Sequence, residues 1–296
     1  MPKNNLTKTA NITVRARELD FVSSFASNME ALREILGITR FIEKVNGTEL
    51  VSKKATVVLQ DGNVGEGEEV PYSQATVEPV YFEKITLEKY AKAVTAEAVL
   101  EHGADVAVTL TDEEFKNELQ GEVLDRFYTF LQNGTLTNTY ATFQMALAMA
   151  IGTVKDKFKK MRKNTTEIAV FVNTLDAYSY LGAAELTIQS QFGMDYIENF
   201  MGAKKVFLSS EIPAGKVIAT PMNNLIAYYV NPSNEGLERL GLEYTVDGET
   251  PFIGFHAGGN YRTVVGESDA IMGIKLFAEY LDAIAVVTID GTSLGE

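Results

Sequence analysis

The chain has 296 residues, 46% of them hydrophobic and 22% charged, a balance that suits one intertwined or two modest globular domains and excludes wholesale disorder. Forty acidic against 26 basic residues leave a net charge of -14, so the whole surface is no high-affinity nucleic-acid binder, although it tolerates enclosed nucleic acid. The absence of cysteine excludes disulfides, Cys-based zinc sites and thiol catalysis, and no apolar run is long enough to span a bilayer.

In chain order, residues 1–20 are polar and aperiodic and are expected to form an extended arm. Phe21, Phe25, Leu32, Ile35 and Leu36 share one face of a helix, with Asp20 as its N-cap and Gly37 just beyond its end. Residues 38–45 read as a strand that ends at the turn Asn46–Gly47. Residues 55–59 and 75–82 are β-rich and flank an acidic, glycine-rich tip over 61–69, which makes a long two-stranded excursion. An isolated hairpin is marginal in water. This one carries polar residues on much of both faces, so it must pack on its own domain or on another subunit.

Thr111-Asp112-Glu113-Glu114 has the form of a capping box. Phe115, Leu119, Val123, Phe127 and Leu131 then step by four along a helix about 30 Å long, which Asn133–Gly134 ends. Residues 141–161 form a second helix, first apolar (Phe143, Leu147, Ile151) and then basic (Lys155, Lys157, Lys159, Lys160, Arg162, Lys163), which favours its negative C-terminal end. A buried strand over 168–172, a short helix over 175–181 and strands over 203–208, 216–219 and 225–230 make a compact α/β unit. The tail over 251–290 is β-rich, with strands at 271–280 and 284–289 joined near Asp282.

Chemistry is sparse. His102 and His256 are far apart in sequence and read as ordinary surface or core residues. No Gly-x-Ser-x-Gly elbow occurs. The segment Gly62 to Gly67 lacks the Gly-Lys-Ser/Thr of a phosphate loop; read as a calcium loop from Asp61, it has Glu66 where glycine is required and Tyr72 where the bidentate Glu belongs. Among 40 acids, no pair stands out as a hydrolase pair. The Lys155–Lys163 cluster reads as a solvated helix end ahead of a DNA contact. The sequence therefore predicts no enzyme, no metal and no cofactor.

The order of elements resembles the HK97-like fold of tailed-phage major capsid proteins over nearly the whole chain. The most specific piece is Ser210-Glu211-Ile212-Pro213-Ala214-Gly215-Lys216-Val217-Ile218, similar to the strand–Pro-Ala-Gly–strand step of that family's axial domain. Asn223-Asn224-Leu225-Ile226-Ala227-Tyr228-Tyr229 follows in the same style. The resemblance implies an α+β, HK97-like capsid fold. Residues 1–46 would be an N-terminal arm and short helix, 47–84 an extended loop and 85–139 a peripheral domain with a long spine helix. Residues 140–235 would be an axial domain, and 236–296 a return to the peripheral domain.

The same resemblance implies a structural virion subunit that self-assembles into pentamers and hexamers in the bacterial host cytoplasm. The icosahedral head would enclose double-stranded DNA, contacted weakly and non-specifically, with no membrane involved. Its partners would be its own copies and a portal, and the short stretch ahead of the loop implies a separate scaffolding protein or none. The loop would lie over an adjacent subunit, with Lys53, Lys54, Asp61, Glu66, Glu68 and Glu69 as inter-subunit contacts and Phe115, Leu119, Val123 and Phe127 as the spine-helix face. Some relatives crosslink a loop lysine to asparagine; nothing here fixes a matching pair, and no crosslink is predicted. An encapsulin-type shell protein, which shares the fold, is the first alternative, and an acidic α/β hydrolase is the alternative from another class.

Overall fold

The structure is a computed structural model that describes residues 9–165, 167–182, 188–191, 194–247 and 251–290; at 9–16, 35, 52–54, 191 and 235 it describes the backbone alone. The described residues open on a helix, α1 (Thr9–Ile35). This corrects the expected arm over 1–20 and the N-cap at Asp20: the backbone is already helical at Thr9, and residues 1–8 lie outside the described residues. The apolar stripe Phe21, Val22, Phe25 and Leu32 is buried as its spacing requires, but the turn before it is docked by charge. Arg17 donates to both Asp112 oxygens (2.5 and 2.8 Å) and to Ser268 Oγ (2.8 Å). Glu18, only 5% exposed, accepts from the Ala257 amide at 2.8 Å and Thr245 Oγ1 at 2.5 Å. A helix anchored by ion pairs leaves no apolar period to read. Gly37 (φ +65°) ends it, and a Cβ there would meet Met222 Sδ at 2.9 Å.

Next come β1 (Arg40–Glu43), β2 (Glu49–Val58), β3 (Gln74–Lys84), β4 (Glu88–Thr95) and α2 (Ala96–His102). A π-helical turn (Asp105–Leu110) runs straight into the long helix α3 (Thr111–Leu131). The predicted capping box is therefore corrected. Because the chain ahead of it is already helical, Thr111 Oγ1 donates back to the carbonyls of Ala107 and Val108 (2.8 and 3.1 Å) and caps nothing. Beyond α3 lie β5 (Leu136–Tyr140), α4 (Phe143–Lys160), β6 (Ile168–Asn173), α5 (Thr174–Leu181), β7 (Gln189–Gln191), β8 (Met194–Phe200), β9 (Ala203–Ser209), β10 (Lys216–Pro221) and β11 (Leu225–Tyr229). The tail supplies β12 (Thr245–Val246), β13 (Ile253–Asn260), β14 (Val265–Met272), β15 (Ile274–Ala278) and β16 (Ala285–Ile289). Thr142 caps α4 and Asn173 caps α5, each accepting a backbone N–H.

The largest sheet has the order β5-β16-β10-β6-β9-β8-β7. Every residue of β6 is buried, since both faces are covered. Ile168, Val170 and Val172 share one cluster with Ala146, Leu147, Ala150 and Val154 of α4; Ala169 and Phe171 belong to the other, with Phe127 and Tyr128 of α3. A four-stranded sheet, β12-β13-β14-β4, and a three-stranded sheet, β1-β11-β15, pack on α1 and α3, and β2 with β3 forms a sheet of its own.

Two expectations for the tail are corrected. The single strand over 271–280 breaks at Gly273 into β14 and β15, which belong to different sheets, and a Cβ at Gly273 would sit 2.9 Å from Leu87. The last strand does not stay with the rest of the 236–296 return. β16 pairs with β10 and β5 in the large sheet because Ala285, Val286 and Val287 are apolar on both faces and need a central position. For the same reason β5, expected at the end of the 85–139 unit, is the edge of that large sheet.

Asp112 joins three elements, since Lys92 of β4 also donates to it at 2.5 Å. Burial opposes its ionisation, but the hydrogen bonds and charges of Arg17 and Lys92 prevail and hold the carboxyl below its ordinary 3.8. A depressed carboxylate contributes stability above its unfolded value and loses it as pH falls through the folded one. Asp112→Asn is therefore expected to cost about 2 kcal/mol at pH 7. In thermal melts the gap should narrow as pH drops from about 4 toward 2; a gap independent of pH would reject the ion-pair account.

Candidate assembly surface

β2 and β3 pair antiparallel, from Glu49 opposite Lys84 to Val58 opposite Gln74. At a rise of about 3.4 Å per residue the ladder is roughly 30 Å long, and β3 is exposed at every position except Phe82. Alternation in this register puts Val51, Ala55 and Val57 on one face with Tyr81, Pro79, Val77 and Ala75, and the register position of Lys53 falls among them. The opposite face carries Thr56, Val58, Gln74, Thr76, Glu78 and Val80. The expected polarity of both faces is thus corrected for one of them: its described side chains are all apolar, with Val57 57% and Tyr81 63% exposed. Among the described residues nothing covers it.

The tip over 59–73 is stabilised by its own short bonds. The Asn63 amide donates to Asp61 Oδ1 (2.9 Å), and the Gly65 amide to Glu68 Oε2 (2.9 Å). Asp61, Glu66, Glu68 and Glu69 are all exposed, and among the described residues no cation pairs with any of them.

The root is clamped. Gly47 and Ile85 exchange backbone bonds with each other's turn (Gly47 N to Ile85 O, 2.8 Å; Ile85 N to Thr48 O, 3.0 Å). Leu50, Ile85, Val230 and Phe277 are buried together. The Phe82 ring meets Phe277 edge-on at 4.3 Å, and Phe130 of α3 stacks on Phe277 at 4.8 Å. Lys275 Nζ donates to Glu83 Oε2 (3.0 Å) and the Lys84 carbonyl (3.2 Å). A firm base thus carries an uncovered ladder.

No protein-family model matches the sequence, and no curated protein matches it. Solved structures do match its shape. A structure from Mycobacterium phage Patience aligns over 100% of this chain and 96% of its own, at 10% identity and a TM-score of 0.52. The mature capsid of bacteriophage PhiM1 covers 86% of each chain at 8% identity and 0.52. The capsid of cyanophage A-1(L) covers 87% of this chain and 92% of its own at 10% identity and 0.51. The chain has the HK97-like fold of phage capsid proteins.

Within the HK97-like fold, Leu119, Val123 and Phe127 of α3 are buried in their own subunit, and Phe115 is half-buried, its ring centroid 6.2 Å from that of Phe21. The backbone of β2 sets Lys53 opposite Pro79 and Lys54 opposite Glu78, but the side chains of both lysines lie outside the described residues. A groove of about 830 Å³ separates the root from α3. Arg126 there bonds Glu88 and Glu122, and the Tyr90 hydroxyl, donating to Glu88 at 2.7 Å, is pushed up to about 12 by burial first and that bond second. Burial and the charges of Glu211, Glu122 and Glu118 push the Asp125 carboxyl up.

His102 ends α2, whereas His256 lies on β13 with Nδ1 3.5 Å from Glu18. Among the described residues no group of three histidine or acidic side chains could hold a metal ion, and no helix is long and apolar enough to cross a membrane. Sequence reasoning missed the aromatic clamp and the apolar hairpin face. The alternation on each strand was a signal for the face, but only the register aligns the two.

Truncating the clamp should free the hairpin. Phe277→Ala is expected to cost about 3 kcal/mol in chemical denaturation, with faster amide exchange at Gly47 and Ile85. Unchanged exchange there would mean that the rings do not hold the root.

Proposed function

We propose that this chain is the major capsid subunit of a tailed bacteriophage. It assembles into pentamers and hexamers and builds an icosahedral head in the host cytoplasm around double-stranded DNA. The observation that carries the reading is the hairpin: an HK97-like subunit with a well-packed core projects some 30 Å of ladder whose largely apolar face has no cover among the described residues. Apolar surface is covered at a gain of about 25 cal/mol per Å², and a neighbouring copy is the cover that the fold supplies. Many weak laps then add through multivalency.

In this reading the large sheet with α4 and α5 is the axial unit, and α1, α3 and the smaller sheets are the peripheral one. Val51, Val57, Val77 and Tyr81 meet the neighbour directly, and Asp61, Glu66, Glu68 and Glu69 extend the contact in a polar fringe. With a net charge of -14 the subunit touches the genome weakly. A portal, and a scaffolding protein if one is used, are its further partners. The role is structural and not enzymatic.

Deleting residues 61–69 should leave folded subunits, judged by circular dichroism, that form closed shells poorly in negative-stain images after co-expression with any scaffolding protein. Val57→Asp combined with Tyr81→Asp should do the same without shortening the loop. Full yields of normal shells from both variants would reject the hairpin's role, and shells that enclose a protein cargo in place of DNA would favour the encapsulin reading.

A further inference from the structure

On an acidic chain, one surface runs strongly the other way. The last turns of α4 and the loop after it present Lys155, Lys157, Lys159, Lys160, Arg162 and Lys163, and Lys204 of β9 stands beside them. Part of this charge is answered within the subunit. Lys157 pairs with Asp282 (3.2 Å), Lys160 with Asp156 (2.5 Å) and Lys204 with Glu167 (3.2 Å), and Lys163 Nζ sits 3.6 Å over the Tyr280 ring. Lys155, Lys159 and Arg162 are exposed, and among the described residues no carboxylate pairs with any of them. Lys155 also lines a cleft of about 280 Å³ shared with Lys204 and the turn at Asn199 and Gly202. Three cations are thus left free among the described residues, the first of them at the edge of this cleft.

The hairpin tip is its counterpart: four exposed acids, unpaired among the described residues, held forward by a stiff ladder. We infer that the acidic tip of one copy seats on the basic end of α4 in a second copy, with Asp61, Glu66, Glu68 and Glu69 answering Lys155, Lys159 and Arg162. This rests on the proposed assembly role of the hairpin and names the surface that receives its tip.

Geometry makes the contact intermolecular. The hairpin root lies against Phe277 in β15, and the same chain's basic patch is pinned to Tyr280 and Asp282, just after that strand. A subunit's own patch therefore sits beside its root, while its tip is carried about 30 Å away. Phosphate is the competing anion. Three free cations interleaved with Asp156, Glu167 and Asp282 are few for a polyanion but match a short acidic loop.

The test is a charge swap in the full-length chain, read as shell yield by sedimentation and negative stain. The tip variant is Glu66→Lys, Glu68→Lys and Glu69→Lys; the patch variant is Lys155→Glu, Lys159→Glu and Arg162→Glu. Each alone should lower the yield about tenfold, because a small loss per contact multiplies around a shell. The two sets combined in one chain should restore it to within about twofold. If the reversed patch fails to fold, Lys155→Gln, Lys159→Gln and Arg162→Gln should lower the yield in the same direction.

A patch variant that assembles at full yield overturns the inference, and one that does so while losing enclosed nucleic acid assigns the patch to DNA. A swap that restores nothing also overturns it. If the 61–69 deletion still blocks assembly, that failure leaves the hairpin's role standing; if the deletion assembles normally, both fall together.

Discussion

Every layer of this subunit leans on one helix. At the start of α3, Asp112 holds Arg17 of α1 and Lys92 of β4. One turn on, Phe115 packs on Phe21, and Lys116 donates to Ser24. Phe127 meets Phe171 in the large sheet edge-on at 5.6 Å, and Phe130 closes the clamp at the hairpin root. A helix is the stiffest element a chain can make over roughly 30 Å, so these four attachments keep fixed spacings. The base of the hairpin is thereby fixed to the rod that also carries the sheets.

Chain crossings between the units strengthen that arrangement. The chain leaves α3 for the large sheet at Gly134, where a Cβ would lie 2.8 Å from Ile284, and re-enters that sheet through β16. It crosses in the other direction at Asn224, which is 1% exposed and bonds Thr220 Oγ1 and both the carbonyl and the amide of Tyr280. Close backbone approach at one crossing and a satisfied buried amide at the other leave little slack between units.

Where burial decides the element, the sequence was readable. The apolar run of β6, the stripe of α4 and the stop at Gly37 each carry a local period or a local conformational need. The first half of α1 was hidden because Arg17 and Glu18 bury charge against partners far along the chain, at Asp112, Thr245 and Ala257. Thr111 misled because a cap is defined by the residue before it, and the π-helical turn there has no sequence mark. In the candidate site, the acidic tip was legible as unbalanced charge, whereas Phe82, Phe130 and Phe277 are too distant in sequence for any window to join them.

An exposed apolar hairpin is also an aggregation hazard, since a free strand edge pairs with any other. Three features restrict this one. Pro79 has no N–H and so removes one backbone donor from β3. The opposite face is largely polar, which discourages symmetric stacking of hairpins. The net charge of -14 keeps free subunits apart until a complementary surface is presented. Edge-to-edge growth is thereby penalised while docking through the face remains open, and this asymmetry favours a defined lattice over an indefinite fibre.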